Sequence, residues 1–289
     1  MSRTRSAGPV STTTGSQNTM PSHQTSQPLE PVLQKPIVKI ALKLLRQLRP
    51  NIAQLHIDSQ NWTQLHITCS KLDLSWKSEN GGDFLRLKTP QQMQQIASQY
   101  GFDHVSDPSR DPDHPFHDSR HMADHLNRHL FAISHDAYLV DCSRWICQHP
   151  DGLMARKLGY YPADCQWKVD YILDVKDASL PHTNCTLIEA GKLEENKLMF
   201  SEVWSILMLT LNCLRNPQKE RYEVVPVTVV TISGPTFRIV QGYIDGKTGS
   251  VNIRKSGIVP IGSDKKTMKE QMMLLVRWLI AEPVWPSRH

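Results

Sequence analysis

The spacing of apolar residues predicts a basic amphipathic helix near the start of the chain. Between residues 37 and 48, apolar side chains recur three and four positions apart, and Pro50 ends the run. The polar side of this helix carries the cations Lys35, Lys39, Lys43, Arg46 and Arg49. Such a helix either docks its apolar stripe on a protein core or lies on phosphates or a membrane surface.

Three further segments have the pattern of helices. Thr89 and Pro90 are typical of a helix start, and the predicted helix runs to about Tyr100, where Gly101 ends it. Residues 194–215 form a second helix, whose later half is apolar on nearly every side and is therefore expected to be buried. A final amphipathic helix is predicted over residues 266–281.

Short alternating runs predict strands on either side of the middle of the chain. Residues 54–57 recur as residues 64–67, which predicts a small hairpin followed by a third strand at residues 72–76. Residues 224–233, 237–244 and 251–253 are separated by turn sequences and predict a three-stranded meander.

Two predicted strands near the centre of the chain each contain an acidic residue. Residues 168–174 form the first strand and include Asp170; residues 186–192 form the second and include Glu189. Burying an unpaired carboxylate is costly, so such residues usually have a partner or a chemical role. The two acids could share a divalent cation. Alternatively, Asp170 pairs with a nearby lysine and Glu189 bonds to a neighbouring strand or helix end.

A ladder of four histidines precedes these strands. His117, His121, His125 and His129 are four residues apart, so they lie along one side of a helix. Pairs with this spacing can bind zinc, although the ladder lacks the glutamate of a HExxH motif. The other interpretation is a solvated, partly cationic helix flank that touches phosphates.

Composition suggests how the chain is divided. Residues 1–34 are rich in Ser, Thr, Gln and Pro and are predicted to be a disordered tail. A helix and hairpin module is expected over residues 35–101, and a larger domain over residues 116–289. The net charge of +5 permits binding to nucleic acid.

The sequence also argues against several classes of protein, among them secreted and membrane-spanning proteins. Six scattered cysteines indicate reduced thiols, and the N-terminus lacks the apolar core of a signal peptide. No apolar run is long enough to span a bilayer. We therefore expect an intracellular protein, nuclear or cytoplasmic, without a membrane partner. No phosphate loop, nucleophile elbow or kinase signature is visible.

The order of strand with Asp, strand with Glu and Lys, long helix and further strands resembles the PD-(D/E)XK nuclease-like superfamily, in particular its divergent fungal members. Val169-Asp170-Tyr171 matches the first motif, and residues 187–192 match the second imperfectly. The family has its lysine two positions after the acid, where this chain has Gly191 followed by Lys192. The resemblance implies an α/β fold with a restriction-endonuclease-like mixed central sheet flanked by helices.

The resemblance also implies a metal-dependent nuclease that cleaves phosphodiester bonds of nucleic acid. Asp170, Glu189 and the carbonyl of Ala190 would bind Mg²⁺ or Mn²⁺, and Lys192 would position the attacking water. The following helix would add a polar group from Glu195, Glu202 or Ser205.

The displaced lysine raises a second hypothesis. In a regular strand Lys192 faces away from Glu189, unless a β-bulge at Gly191 turns it back. The alternative is therefore a catalytically inactive nuclease-like domain that binds nucleic acid or a protein partner, or that forms a homo-oligomer.

Overall fold

A computed structural model describes residues 30–101, 115–134, 137–150, 152–161, 166–177, 179–262 and 264–285. Residues 1–29 of the predicted disordered tail lie outside the described residues. The next four residues, Glu30–Leu33, form a short helix.

Eight α-helices are present in the described residues: α1 (Glu30–Leu33), α2 (Pro36–Leu48), α3 (Ser59–Trp62), α4 (Pro90–Tyr100), α5 (Pro115–Leu130), α6 (Gly152–Lys157), α7 (Phe200–Leu214) and α8 (Lys265–Leu279). A 3₁₀ turn at Arg49–Asn51 follows α2.

The same residues contain fifteen strands, many of them short: β1 (His56–Asp58), β2 (Ile67–Lys71), β3 (Leu85–Arg86), β4 (Ile133–Ser134), β5 (Ala137–Tyr138), β6 (Trp145–Gln148), β7 (Gly159–Tyr160), β8 (Trp167–Val175), β9 (Thr183–Glu189), β10 (Lys197–Met199), β11 (Val227–Ser233), β12 (Thr236–Asp245), β13 (Ser250–Lys255), β14 (Val259–Pro260) and β15 (Glu282–Pro283).

A mixed sheet of nine strands forms the centre of the fold. Its order is β2-β13-β12-β11-β9-β8-β6, with β14 beside β12 and β7 beside β8. The β9–β11 and β2–β13 pairs are parallel, and the other pairs are antiparallel. The parallel β9–β11 pair requires a crossover, which α7 supplies.

Helices cover both faces of this sheet, and each face has its own apolar core. On one face, α2 and α7 pack against strand residues such as Val169 and Leu187. On the other face, α4, α5 and α8 pack against residues such as Leu173 and Ile188. The fold is therefore a mixed α/β architecture with a central sheet flanked by helices, as expected.

Several predicted elements are confirmed because their signals are local. The α2 helix begins at Pro36 and buries the predicted apolar stripe. Thr89 caps the start of α4, where its hydroxyl accepts a hydrogen bond from the Gln92 amide, and Gly101, in the left-handed conformation, caps its end. The meander of β11, β12 and β13 and the helix α8 are also present.

The predicted N-terminal hairpin is wrong. Strand β1 pairs with β10, far along the chain, and β2 joins the edge of the central sheet beside β13. A short helix, α3, separates the two segments. The repeated sequence gives both segments a strand pattern, but their hydrogen-bonding partners lie elsewhere. Residues 35–101 thus extend the sheet and its helical layers rather than forming a separate module.

The second acidic strand lies three residues earlier in the chain than predicted, and the long helix is shorter than predicted. Strand β9 ends at Glu189, so Gly191 and Lys192 lie beyond it. Helix α7 begins at Phe200, because residues 197–199 form β10 and pair with β1.

Candidate functional site

Asp170 lies on β8 at an irregularity of the sheet. The register between β8 and β9 shifts between Val169 and Tyr171, so Asp170 is an extra residue opposite β9. Its carboxylate accepts hydrogen bonds from Lys168 Nζ at 2.6 Å and from Asn127 Nδ2 at 3.1 Å. Because Asn127 belongs to α5, the side chain of Asp170 points to the sheet face that α5 covers.

Glu189 lies at the end of β9 and is buried, with 1% of its surface exposed. Its carboxyl oxygens accept hydrogen bonds from Ser201 Oγ at 2.5 Å and from the Gly191 amide at 3.0 Å. Ser201 belongs to the first turn of α7. Burial raises the pKa of Glu189 to about 8, so the carboxyl group is mostly protonated at neutral pH.

The two acids therefore point to opposite faces of the sheet. Glu189 pairs with Trp167, and Leu187 pairs with Val169; directly paired residues share a face, here the one packed against α7. Asp170 contacts the helix on the other face. The backbone of β8 and β9 separates the two carboxyl groups, and the structure does not bring them together.

The remaining residues of the second motif are also apart from Asp170. Lys192 is exposed, and its carbonyl oxygen lies 2.8 Å from His56 Nε2. The amide of Ala190 donates to the carbonyl of Gln166. Gly191 is buried beside Leu55, so the region after β9 is a packed loop rather than a bulge that would turn Lys192 toward Glu189.

The two acids expected to contribute from the following helix have structural partners. Glu202, on α7, is completely buried and forms a bidentate ion pair with Arg238. Glu195 precedes α7, and its carboxylate accepts a hydrogen bond from the Ile258 amide at 2.8 Å. Ser205 is buried within the α7 core.

The histidine ladder lies on α5, as its spacing predicts, but only part of it is solvated. His125 and His129 are buried, with 1% and 4% exposed. Burial lowers the pKa of both groups, that of His129 to about 4. The expected cationic flank is therefore wrong at these two positions. Within the described ranges, no cluster of three or more His, Cys, Asp or Glu residues could hold a metal ion.

A basic groove opens on the α7 side of the molecule, and none of the predicted acids lines it. We call it the α2–α7 groove; it has a volume of about 580 Å³. Its apolar floor includes Leu42, Leu45, Ile52, Met154, Trp204 and Met208. The cations Arg46, Arg49, Arg156, Lys157 and Arg215 also line it. The sequence pattern grouped only Arg46 and Arg49, which lie in α2 and in the 3₁₀ turn after it, because the packing of α6 and α7 brings the other three cations to the same place.

Comparisons with known proteins find no matching family model, curated protein or solved structure. Of the helices in the described ranges, none has both the length and the apolar content needed to cross a bilayer.

Proposed function

We propose that this chain is a non-catalytic binding protein with a PD-(D/E)XK nuclease-like core, and that its partner is another protein. The order α5, β8, β9, α7, β11, with β9 parallel to β11, supports the restriction-endonuclease-like assignment. A shared fold supports no activity by itself, so the function is argued from the side chains.

The main evidence for a non-catalytic protein is that the side chains of Asp170 and Glu189 point to opposite faces of the sheet. A Mg²⁺ ion needs oxygen ligands at about 2.0–2.1 Å in nearly octahedral geometry, so both carboxylates would have to reach the same point. Glu189 instead points toward α7, where it is buried and accepts hydrogen bonds from Ser201 and from the Gly191 amide. The residues present therefore do not fit the metal that the sequence motif implies.

The rival function is the metal-dependent nuclease expected from the motif. It would require the Glu189 side chain to leave Ser201 and cross to the face on which Asp170 contacts Asn127. It would also require Lys192 to move from its exposed position to the same site. A rearrangement of this size would disrupt the packed start of α7.

A cleavage assay separates the two functions. The purified full chain is incubated with supercoiled plasmid and with a labelled RNA, in Mg²⁺ and in Mn²⁺. We expect no cleavage above that of the protein-free buffer. Isothermal titration with Mn²⁺ should likewise show no binding that depends on Asp170 or Glu189.

Three variants identify the source of any activity. Asp170→Asn and Glu189→Gln remove the candidate ligands, and Asp174→Asn removes another acid of β8 as a matched control. If the wild type cleaves either substrate, and if both candidate variants lose that activity while Asp174→Asn keeps it, the chain is a nuclease and the proposal fails.

A further inference from the structure

The α2–α7 groove combines a charged lining with an accessible apolar floor. Leu33, at the end of α1, is 48% exposed, and Trp204 and Met208 of α7 lie in the floor. Isolated apolar residues on a surface are ordinary, but partly exposed apolar residues gathered in one groove and bordered by cations are a candidate binding surface. The side chains of Leu45, Met154 and Trp204 are partly exposed in this groove and leave apolar surface in contact with water.

The charge of the groove has one sign. Among the described residues that line it, five are cations and no residue is acidic. None of these five cations forms an ion pair with an acidic side chain that the structure describes. Like charges held close together repel one another, so an anionic partner would lower the electrostatic free energy of the groove.

The floor indicates which anionic partner fits. Aliphatic and methionine side chains adapt to the apolar face of an amphipathic helix. Nucleic acid would need several aromatic rings on which bases stack. Trp204 is the one aromatic residue among the described lining residues, and its ring is stacked on Phe200 at 5.5 Å between centroids. Its indole N–H donates to the Lys157 carbonyl, so this N–H group is not available to donate to a ligand.

The chain's own N-terminal sequence is a poor occupant. Residues 1–29 precede α1 in the sequence, but they contain Arg3 and Arg5 and no Asp or Glu. Their positive charge would oppose binding to a lining of arginine and lysine.

We propose that the α2–α7 groove binds an acidic amphipathic helix of a partner protein. Its apolar residues, spaced at i, i+3, i+4 and i+7, would lie on the floor of Leu45, Trp204 and Met208. Its carboxylates would face the cations that line the groove, among them Arg46, Arg49 and Arg215. This inference rests on the proposed function, because it identifies the partner class of a non-catalytic binding protein.

Fluorescence anisotropy with a defined probe tests the groove. The probe is a labelled peptide of about 16 residues, enough for about four helical turns, with leucine at the four anchor spacings and glutamate on the rest of its surface. We expect the full chain to bind it with a Kd of about 10 μM or tighter, and more weakly as salt is raised. Two control peptides, one with serine for leucine and one with lysine for glutamate, should bind at least about tenfold more weakly.

Matched charge reversals locate the binding. Arg46→Glu with Arg215→Glu changes the lining of the groove and should weaken binding at least about tenfold. Lys39→Glu with Lys43→Glu makes the same change in net charge on exposed α2 positions outside the groove, and should alter Kd by about twofold or less. Leu33→Ser tests the contact between the peptide leucines and the apolar lining of the groove without changing the charge. Because Leu33 is half exposed, this substitution leaves the core intact.

Several results would overturn the inference. One is that the wild type does not bind the probe peptide. Another is that both charge-reversal pairs weaken binding equally, and a third is that the serine control peptide binds as tightly as the leucine peptide. Groove-dependent binding of a single-stranded DNA oligonucleotide that exceeds peptide binding would assign the groove to nucleic acid. Groove-dependent retention on phosphatidylserine vesicles, without peptide binding, would assign it to lipid. If the peptide does not bind, the expected result of the cleavage assay is unchanged. Cleavage that depends on both Asp170 and Glu189 would refute the proposed function, whether or not the peptide binds.

Discussion

Arg238 of β12 and Glu202 of α7 form a bidentate ion pair in which both side chains are completely buried. Glu202 also accepts hydrogen bonds from Thr231 and from the Met199 amide, and Arg238 donates to the carbonyls of Glu194 and Lys197. The pair therefore joins the sheet, the start of α7 and the loop before it. This network, rather than a metal ion, accounts for an acid in an otherwise apolar helix.

Removing the charge of Glu202 should strongly destabilise the fold. In Glu202→Gln, the guanidinium of Arg238 stays buried without its anionic partner, which typically costs about 3–5 kcal/mol. Urea denaturation followed by circular dichroism measures the loss. Glu270→Gln, an exposed position on α8, is the control and should change stability by less than about 0.5 kcal/mol. Equal effects in the two variants would contradict a structural role for the pair.

The buried carboxyl group of Glu189 should make stability fall as pH rises. Its pKa is about 8 in the folded state, above the ordinary value of 4.5, because burial disfavours the charged form. Between these two values the folded state holds a proton that the unfolded state releases, so each increase in pH favours unfolding. We expect the advantage of the wild type over Glu189→Gln to shrink by a few kcal/mol from pH 5 to pH 9. A pH-independent difference in free energy of unfolding would refute this.

His129 and His182 should have the opposite effect on the pH dependence of stability, which they should make fall as pH falls. Burial lowers the pKa of each to about 4, below the usual 6.5. As pH falls through this window the unfolded chain takes up protons that the folded chain does not, so these groups destabilise the fold in acid. Long-range ¹H–¹⁵N NMR should show both rings neutral at pH 5.5. A midpoint near 6.5 for either ring would show that it is hydrated.

Gly242 should not tolerate a side chain. A Cβ atom there would lie 2.6 Å from Ile206 Cδ1, where α7 packs directly on β12. Gly242→Ala should therefore cost about 1–3 kcal/mol through overpacking. Gly246→Ala is the matched control, because its Cβ would meet Pro36 at an ordinary 3.5 Å. Similar thermal midpoints for the two variants would mean that α7 can shift without cost.

The elements that could be predicted from the sequence are those whose signals are local. The apolar spacing of α2 and α8, the Thr89 and Gly101 caps of α4, and the turns of the β11–β13 meander depend on residues within a few positions of one another. Helical hydrogen bonds and capping contacts connect near neighbours in the chain, so sequence spacing is enough to predict them.

The pairing of the strands and the direction in which the acids point depend on long-range packing and could not be predicted from the sequence. The alternation of side chains fixes which residues of one strand share a face, but not how two strands align. The extra residue at Asp170 and the end of β9 at Glu189 both arise from pairing with distant segments. In the same way, distant packing brings Arg46 of α2, Arg156 of α6 and Arg215 after α7 to one groove, because side chains far apart in sequence become neighbours only when the cores between them close.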